Sequence, residues 1–180
     1  VAIVFNNTTA RKRAEAELRA APRVAVALAH HGSPEIDAAL TPDARGQRAL
    51  ERAGLSHLAV PRTGDDFLLS HRYLICLGAT SGAEDFLPLA NSNSVVLLEE
   101  DGWETFARAI FQPWQHYIPL RPGAGDVAEK LAWARAHPDA CQQISACARG
   151  LCVLLADRQA RQQQLGMILR DYRGATGQRA

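Results

Sequence analysis

The stretch "RYLICLGATSGAEDF" (Arg72–Phe86) decides the fold reading. Tyr73 to Leu77 is a short apolar run, the mark of a strand buried on both faces. Gly78, Thr80, Ser81 and Gly82 follow, small residues that let a backbone come close to a ligand. The chain then turns helical at "AEDFLPLANS" despite Pro88, and a second buried strand, "SVVLLE", comes after it. Strand, small-residue loop, helix and strand make one βαβ unit, which demands a parallel sheet.

The same alternation extends outward on both sides. "VAIVF" reads as a strand and "TTARKRAEAELRAA" as a helix capped by Thr8 or Thr9 and closed before Pro22. "RVAVALA" is expected to be a second strand, bounded by "HHGSP". "TPDARGQRALERAG" is expected to be a helix, with Thr41 as cap, Pro42 in the first helical position and Gly54 at the end. "HLAV" reads as a short strand, "GWETFARAIF" as a helix and "HYIPL" as a last strand. The expected fold class is α/β, a parallel sheet with helices on both faces.

After Pro122 the pattern is almost wholly helical. Leu131, Trp133, Ala134, Ile144, Cys147, Leu151 and Leu154 recur every three or four residues and mark an expected buried stripe, with breaks at Pro138 and Gly150. The expected organisation is a lobe over 1–122, helices packed on it over 123–172 and a frayed tail over 173–180.

A chain of 180 residues can bury a core alone, and its hydrophobic share of 47% is ordinary for a globular protein. The net charge of +1 gives no electrostatic ground for a nucleic-acid or anionic-membrane partner. No run reaches the ~18 apolar residues of a membrane span. The Arg-rich stretches "RKRAEAELR" and "DRQARQQQLGMILRDYR" read as solvated helix faces. A start at Val1 inside an apolar run is what a fragment or a processed chain shows. Cys76, Cys141, Cys147 and Cys152 have neither zinc nor CxxC spacing and read as small apolar residues, with a disulfide left open.

In an open parallel sheet, ligands sit outside the carboxyl ends of the strands. Three such ends carry candidate residues. After "VAIVF" come Asn6, Asn7, Thr8 and Thr9, then Arg11 to Arg13; free N–H groups at a helix start beside guanidinium groups suit a phosphate. After "RYLICL" comes "GATSGAEDF", which is neither GxGxxG nor a P-loop. After "SVVLL" come Glu99, Glu100 and Asp101, suited to a sugar hydroxyl or a cation but more economically read as a solvated turn. His30 and His31 read as turn residues, and no hydrolase, zincin or kinase motif is present.

The segment Arg72–Leu120 resembles the family 90 glycosyltransferases, a group with protein O-glucosyltransferases, capsule-associated xylosyltransferases and lipopolysaccharide-modifying enzymes. "QPWQHYIPL" carries the likeness most specifically, through Pro113, Trp114, His116, Tyr117 and Pro119. "RYLICL" resembles the family's Tyr-Leu strand and "NSVVL" its Ser-Val-Val strand. More loosely, "FNNTTARKRAEAEL" resembles its first donor loop and "GDVAEKLAWARAHPDACQQI" its closing helices.

The resemblance implies the C-terminal lobe of a GT-B enzyme, with a nucleotide sugar such as UDP-glucose or UDP-xylose as donor. It also implies a protein or glycan hydroxyl as acceptor, no metal or other cofactor, inversion at the anomeric carbon, and a catalytic carboxylate in the other lobe. Trp114, His116 and Tyr117 are expected to be structural. Asn6, Thr8, Thr9 and Arg13 would contact phosphate or ribose; Thr80, Ser81, Gly82, Ala83 and Asp85 would line the donor loop. Asn6 and Asn7 stand where the family usually places Arg-Gly, and Ala83 and Asp85 where it places Ser-x-Arg. Those departures make a non-catalytic relative, kept for binding or scaffolding, the alternative expectation. The compartment follows the host: secretory pathway in a eukaryote, cytoplasm in a bacterium.

Overall fold

The computed structural model describes residues 2–6, 15–62, 64–78, 86–103 and 109–177. Five parallel strands form one sheet: β1 (Ala2–Asn6), β2 (Asp37–Thr41), β3 (Tyr73–Cys76), β4 (Val95–Glu99) and β5 (Ile118–Leu120), in the order β2-β1-β3-β4-β5. The chain lays β2 on one side of β1 and then returns to lay β3 on the other. The strand order therefore reverses between β1 and β3. The expected "HLAV" strand is reduced to one bridge, Ala59 beside Leu40, with the Val60 N–H donating to the Leu40 carbonyl at 2.8 Å.

Strand side chains alternate between two cores, as the two-residue period requires. Tyr73, Ile75, Val95, Leu97, Ile118 and Leu120 enter the first, with Leu18 of α1 (Glu15–Ala20), Val24 and Ala27 of α2 (Pro22–His30) and Leu50 of α3 (Ala44–Arg52). Cys76, Val96 and Leu98 enter the second, with Phe86 and Ala90 of α5 (Phe86–Ala90) and Phe111. A short helix α4 (Asp65–Leu69) precedes β3. The helix α5 that joins β3 to β4 packs on the second face, whereas α1, α2 and α3 give their buried side chains to the first.

Two N-terminal expectations are corrected. "RVAVALA" is not a strand but most of α2, and the strand is the next segment, "DAALT". Pro22 presets the first helical turn, and alanine is the best helix former, so the Val–Ala alternation misleads as a period-two signal. The cap of α3 is Asp43, whose carboxylate accepts the Arg45 and Gly46 N–H groups at 3.1 and 2.6 Å. Thr41 is the last residue of β2 instead.

Beyond β5 the chain forms α6 (Val127–Ala136), α7 (Pro138–Ala156) and α8 (Arg158–Thr176). α7 serves both cores, giving Cys141 and Ile144 to the first and Ala148 and Cys152 to the second. The break lies at Asp157, which caps α8 through the Ala160 N–H at 2.7 Å, and not at Gly150, which sits inside α7. The expected stripe holds for Leu131, Ala134 and Ile144. Cys147 and Leu154 are exposed, and Cys152 takes the buried place. α8 continues as helix to Thr176. No α8 side chain is buried; Leu165, Ile168, Leu169 and Tyr172 stand exposed. Cys141, Cys147 and Cys152 are free thiols. No described helix is long and apolar enough to cross a membrane.

Candidate functional site

The strand-order reversal places the candidate crevice at the carboxyl ends of β1 and β3. Ala2 pairs with Leu74, and β1 and β3 run parallel side by side. The two expected donor segments therefore start from neighbouring strand ends. Thr8, Thr9, Arg13, Thr80, Ser81, Gly82, Ala83 and Asp85 lie outside the described residues, as do residues 104–108 of "GWETFARAIF". Asn6 is described as the last residue of β1, opposite Thr41.

The described part of the rim is built by β4. Glu99 closes that strand, is 3% exposed, and receives two backbone N–H groups: Gly78 at Oε2, 2.9 Å, and Gly123 at Oε1, 2.6 Å. One buried carboxylate thus ties together the ends of β3, β4 and β5. The sequence reading of Glu99 as a solvated turn residue is corrected. Its available signal was position, since "VVLLE" runs apolar up to it without a break.

Beside it, the Glu100 N–H donates to the Leu120 carbonyl at 2.9 Å, and the Tyr117 hydroxyl reaches the Glu100 carboxylate at 3.4 Å. Asp101 lies against Gly78: a Cβ built there meets the Asp101 Cβ and Cγ at 2.8 Å. The Asp101 carboxylate also accepts the Trp103 N–H at 3.1 Å, and the left-handed Gly102 (φ +79°) leads out to an exposed Trp103 ring.

The turn after β5 completes this edge. Gly123 and Ala124 both take left-handed backbone angles, φ +80° and +53°. Asp126, buried, accepts the Arg121 N–H at 3.0 Å and pairs with the Arg121 and Lys130 side chains at 3.4 and 3.9 Å. The turn is fixed from inside by one carboxylate and from β4 by another.

"QPWQHYIPL" lies at the opposite, amino end of β5. His116 is buried, its N–H donates to the Gln112 carbonyl at 3.0 Å, and its Nδ1 accepts the Gln112 N–H at 2.9 Å. Trp114 adopts φ +64°, donates its N–H to the Tyr117 carbonyl at 2.7 Å, and lays its ring edge-on to Trp133 of α6 at 4.8 Å, with the Lys130 ammonium 5.1 Å from its centroid. Tyr117 packs edge-on to Phe86 at 5.8 Å in the second core. These contacts lock the loop to α6 and α5, in keeping with the structural role expected of the motif.

Burial pushes the His116 imidazole below its ordinary value, and the neutral ring is the form whose Nδ1 accepts the Gln112 N–H. A histidine depressed on folding contributes stability that is present above its unfolded value, about 6.5, and lost as pH falls through the lower folded value. Urea midpoints should therefore drop between pH 7.5 and pH 5.5. His116→Gln should be less stable at pH 7.5 but lose less between the two pH values, and equal losses would exclude His116 as a source.

The described rim next to the topological switch point thus consists of a glycine pressed against a carboxylate, a carboxylate bracket and an ordered turn. The glycosyl transferase family 90 model matches residues 26–153, more than two thirds of the chain. Rat protein O-glucosyltransferase 1 is 31% identical over 91 residues, covering 49% of this chain and 23% of that protein. Mouse protein O-glucosyltransferase 3 is 27% identical over 75 residues, 42% of this chain and 15% of its own length. A Frog virus 3 protein, 027R, is 28% identical over 93 residues, 49% of this chain and 10% of the viral protein. The chain thus spans less than a quarter of the length of these relatives. Among solved structures, the C-terminal domain of a group 1 family glycosyl transferase from Francisella tularensis superposes with a TM-score of 0.52 at 13% identity, over 84% of this chain and 83% of that one. That likeness shows the shared Rossmann-like fold. With the strand order, the "QPWQHYIPL" motif and the matched span in agreement, this chain belongs to glycosyl transferase family 90.

Proposed function

We propose that this chain is the donor-binding lobe of a sugar-transferring enzyme. It would take a nucleotide sugar, of which a UDP-sugar is the favoured form, for transfer of a hexose or pentose to a protein or glycan hydroxyl. The observation that carries the reading is the reversal of strand order between β1 and β3, with both expected donor segments leaving from that point in a family 90 chain. Similarity to proteins named O-glucosyltransferases supports the donor class. Charge on the diphosphate would be met by backbone N–H groups at the helix starts and by Arg11 or Arg13, so the reading calls for no metal. On this reading the general base, which has to reach the acceptor hydroxyl, belongs to the other lobe of the GT-B fold.

A second reading, a non-catalytic relative that binds or scaffolds, is favoured by one observation: Ala83 and Asp85 occupy the positions of the family's Ser-x-Arg. A carboxylate facing a diphosphate repels the charge that transfer chemistry must stabilise. Calorimetry with UDP tests the donor reading directly, and absence of heat and of thermal stabilisation at millimolar UDP would sink it. Asp85→Arg should tighten UDP binding about tenfold, one charge-assisted contact replacing one repulsion. Unchanged affinity would place the 79–85 loop away from the diphosphate.

A further inference from the structure

Glu99 holds more than its own strand end. Its two carboxylate oxygens accept N–H groups from opposite sides of β4, Gly78 at 2.9 Å and Gly123 at 2.6 Å. A carboxylate can serve both donors because both of its oxygens are acceptors; an amide would turn an NH2 towards one of them. Gly78 immediately precedes residues 79–85, the expected donor loop. Gly123 lies in the turn that opens α6, and Asp126 sets that turn from within. Glu99 is buried, so its bonds are not shared with bulk water, and a shift of either amide is felt by the other through one rigid group.

We propose that Glu99 is a positioning residue for nucleotide-sugar binding, a carboxylate bracket that couples the backbone at Gly78, just past the end of β3, to the seating of the 121–126 turn. The proposal deepens the donor-lobe reading and rests on it. Coupling of this kind is reciprocal: a ligand that fixes the entrance of the loop must also tighten the turn. The turn then reports occupancy of a site to which it need not contribute a contact.

Residue-resolved amide exchange in the wild-type chain, with and without about 5 mM UDP, reads the coupling directly. UDP should slow exchange at Gly78 and at Gly123 alike. Binding that protects Gly78 and leaves Gly123 unchanged would overturn the bracket. Glu99→Gln should weaken UDP binding by about tenfold in the folded protein, the loss of one charge-assisted hydrogen bond. Glu99→Asp, which keeps both acceptors on a shorter stem, should recover part of that loss. A purely structural Glu99 would lower the melting temperature of both variants without changing UDP affinity, and wild-type affinity in folded Glu99→Gln would reject the proposal. Should Glu99→Gln fail to fold, the wild-type exchange pattern decides alone. A wild-type chain that binds no UDP would remove the donor-lobe reading and the bracket with it, whereas binding without protection at Gly123 removes the bracket alone.

Discussion

Replacing Phe86 by alanine should cost the fold about 3–5 kcal/mol, the range for deleting a fully buried aromatic ring. Phe86 is 1% exposed and meets Phe111 edge-on at 5.0 Å and Tyr117 at 5.8 Å. The second core is small, and its other members include Cys76, Ala90, Ala148 and Cys152. Such short side chains cannot reach across the space a lost ring leaves, so the cavity persists and its cost adds to the transfer term. For a chain of this size the melting temperature should fall by roughly 6–20 °C. The loss also removes the wall behind Tyr117, so the "QPWQHYIPL" loop should loosen with it. Urea denaturation gives the number; a loss below about 1 kcal/mol would mean that α5 and the second core do not unfold with the sheet.

Gly78→Ala should have the larger effect on ligand binding. A Cβ at position 78 comes within 2.8 Å of the Asp101 Cβ and Cγ, so relief requires the β4 turn to move, not merely a side-chain tip. Moving it strains the Trp103 N–H bond to Asp101 and the Gly78 N–H bond to Glu99. Overpacking of this sort costs about 1–3 kcal/mol. On the donor-lobe reading, UDP affinity should fall at least tenfold, because the loop's entrance is displaced. Asp101→Gly in the same chain makes room for the methyl group and should recover much of the stability. A double-mutant cycle checks this, and additive losses would show that the two positions do not collide.

The parallel α/β class was legible because β3 and β4 are short apolar runs separated by a helical segment, a pattern that only a βαβ unit satisfies. "RVAVALA" was misread because alternating Val and Ala satisfies both periods weakly, and the choice turned on Pro22 and on packing against the sheet. In the C-terminal helices Cys147 and Cys152 sit at equally plausible stripe positions. α7 rotates from one core to the other along its length, so a single helical phase could not pick the buried one.

The family, too, was legible in the chain alone, since "QPWQHYIPL" and the strands before it are local patterns that need no coordinates. The role of Glu99 was not available in this way. Whether a carboxylate after an apolar run meets water or a buried N–H depends on what lies beside it, and its partners Gly78 and Gly123 are far from it in sequence. The collision that requires glycine at 78 likewise arises only when β3 and β4 lie side by side. Hydrophobic period and turn chemistry are properties of neighbouring residues, which the sequence carries directly. Burial, hydrogen-bond satisfaction and close backbone approach are properties of pairs distant along the chain, and only the tertiary structure brings those pairs together.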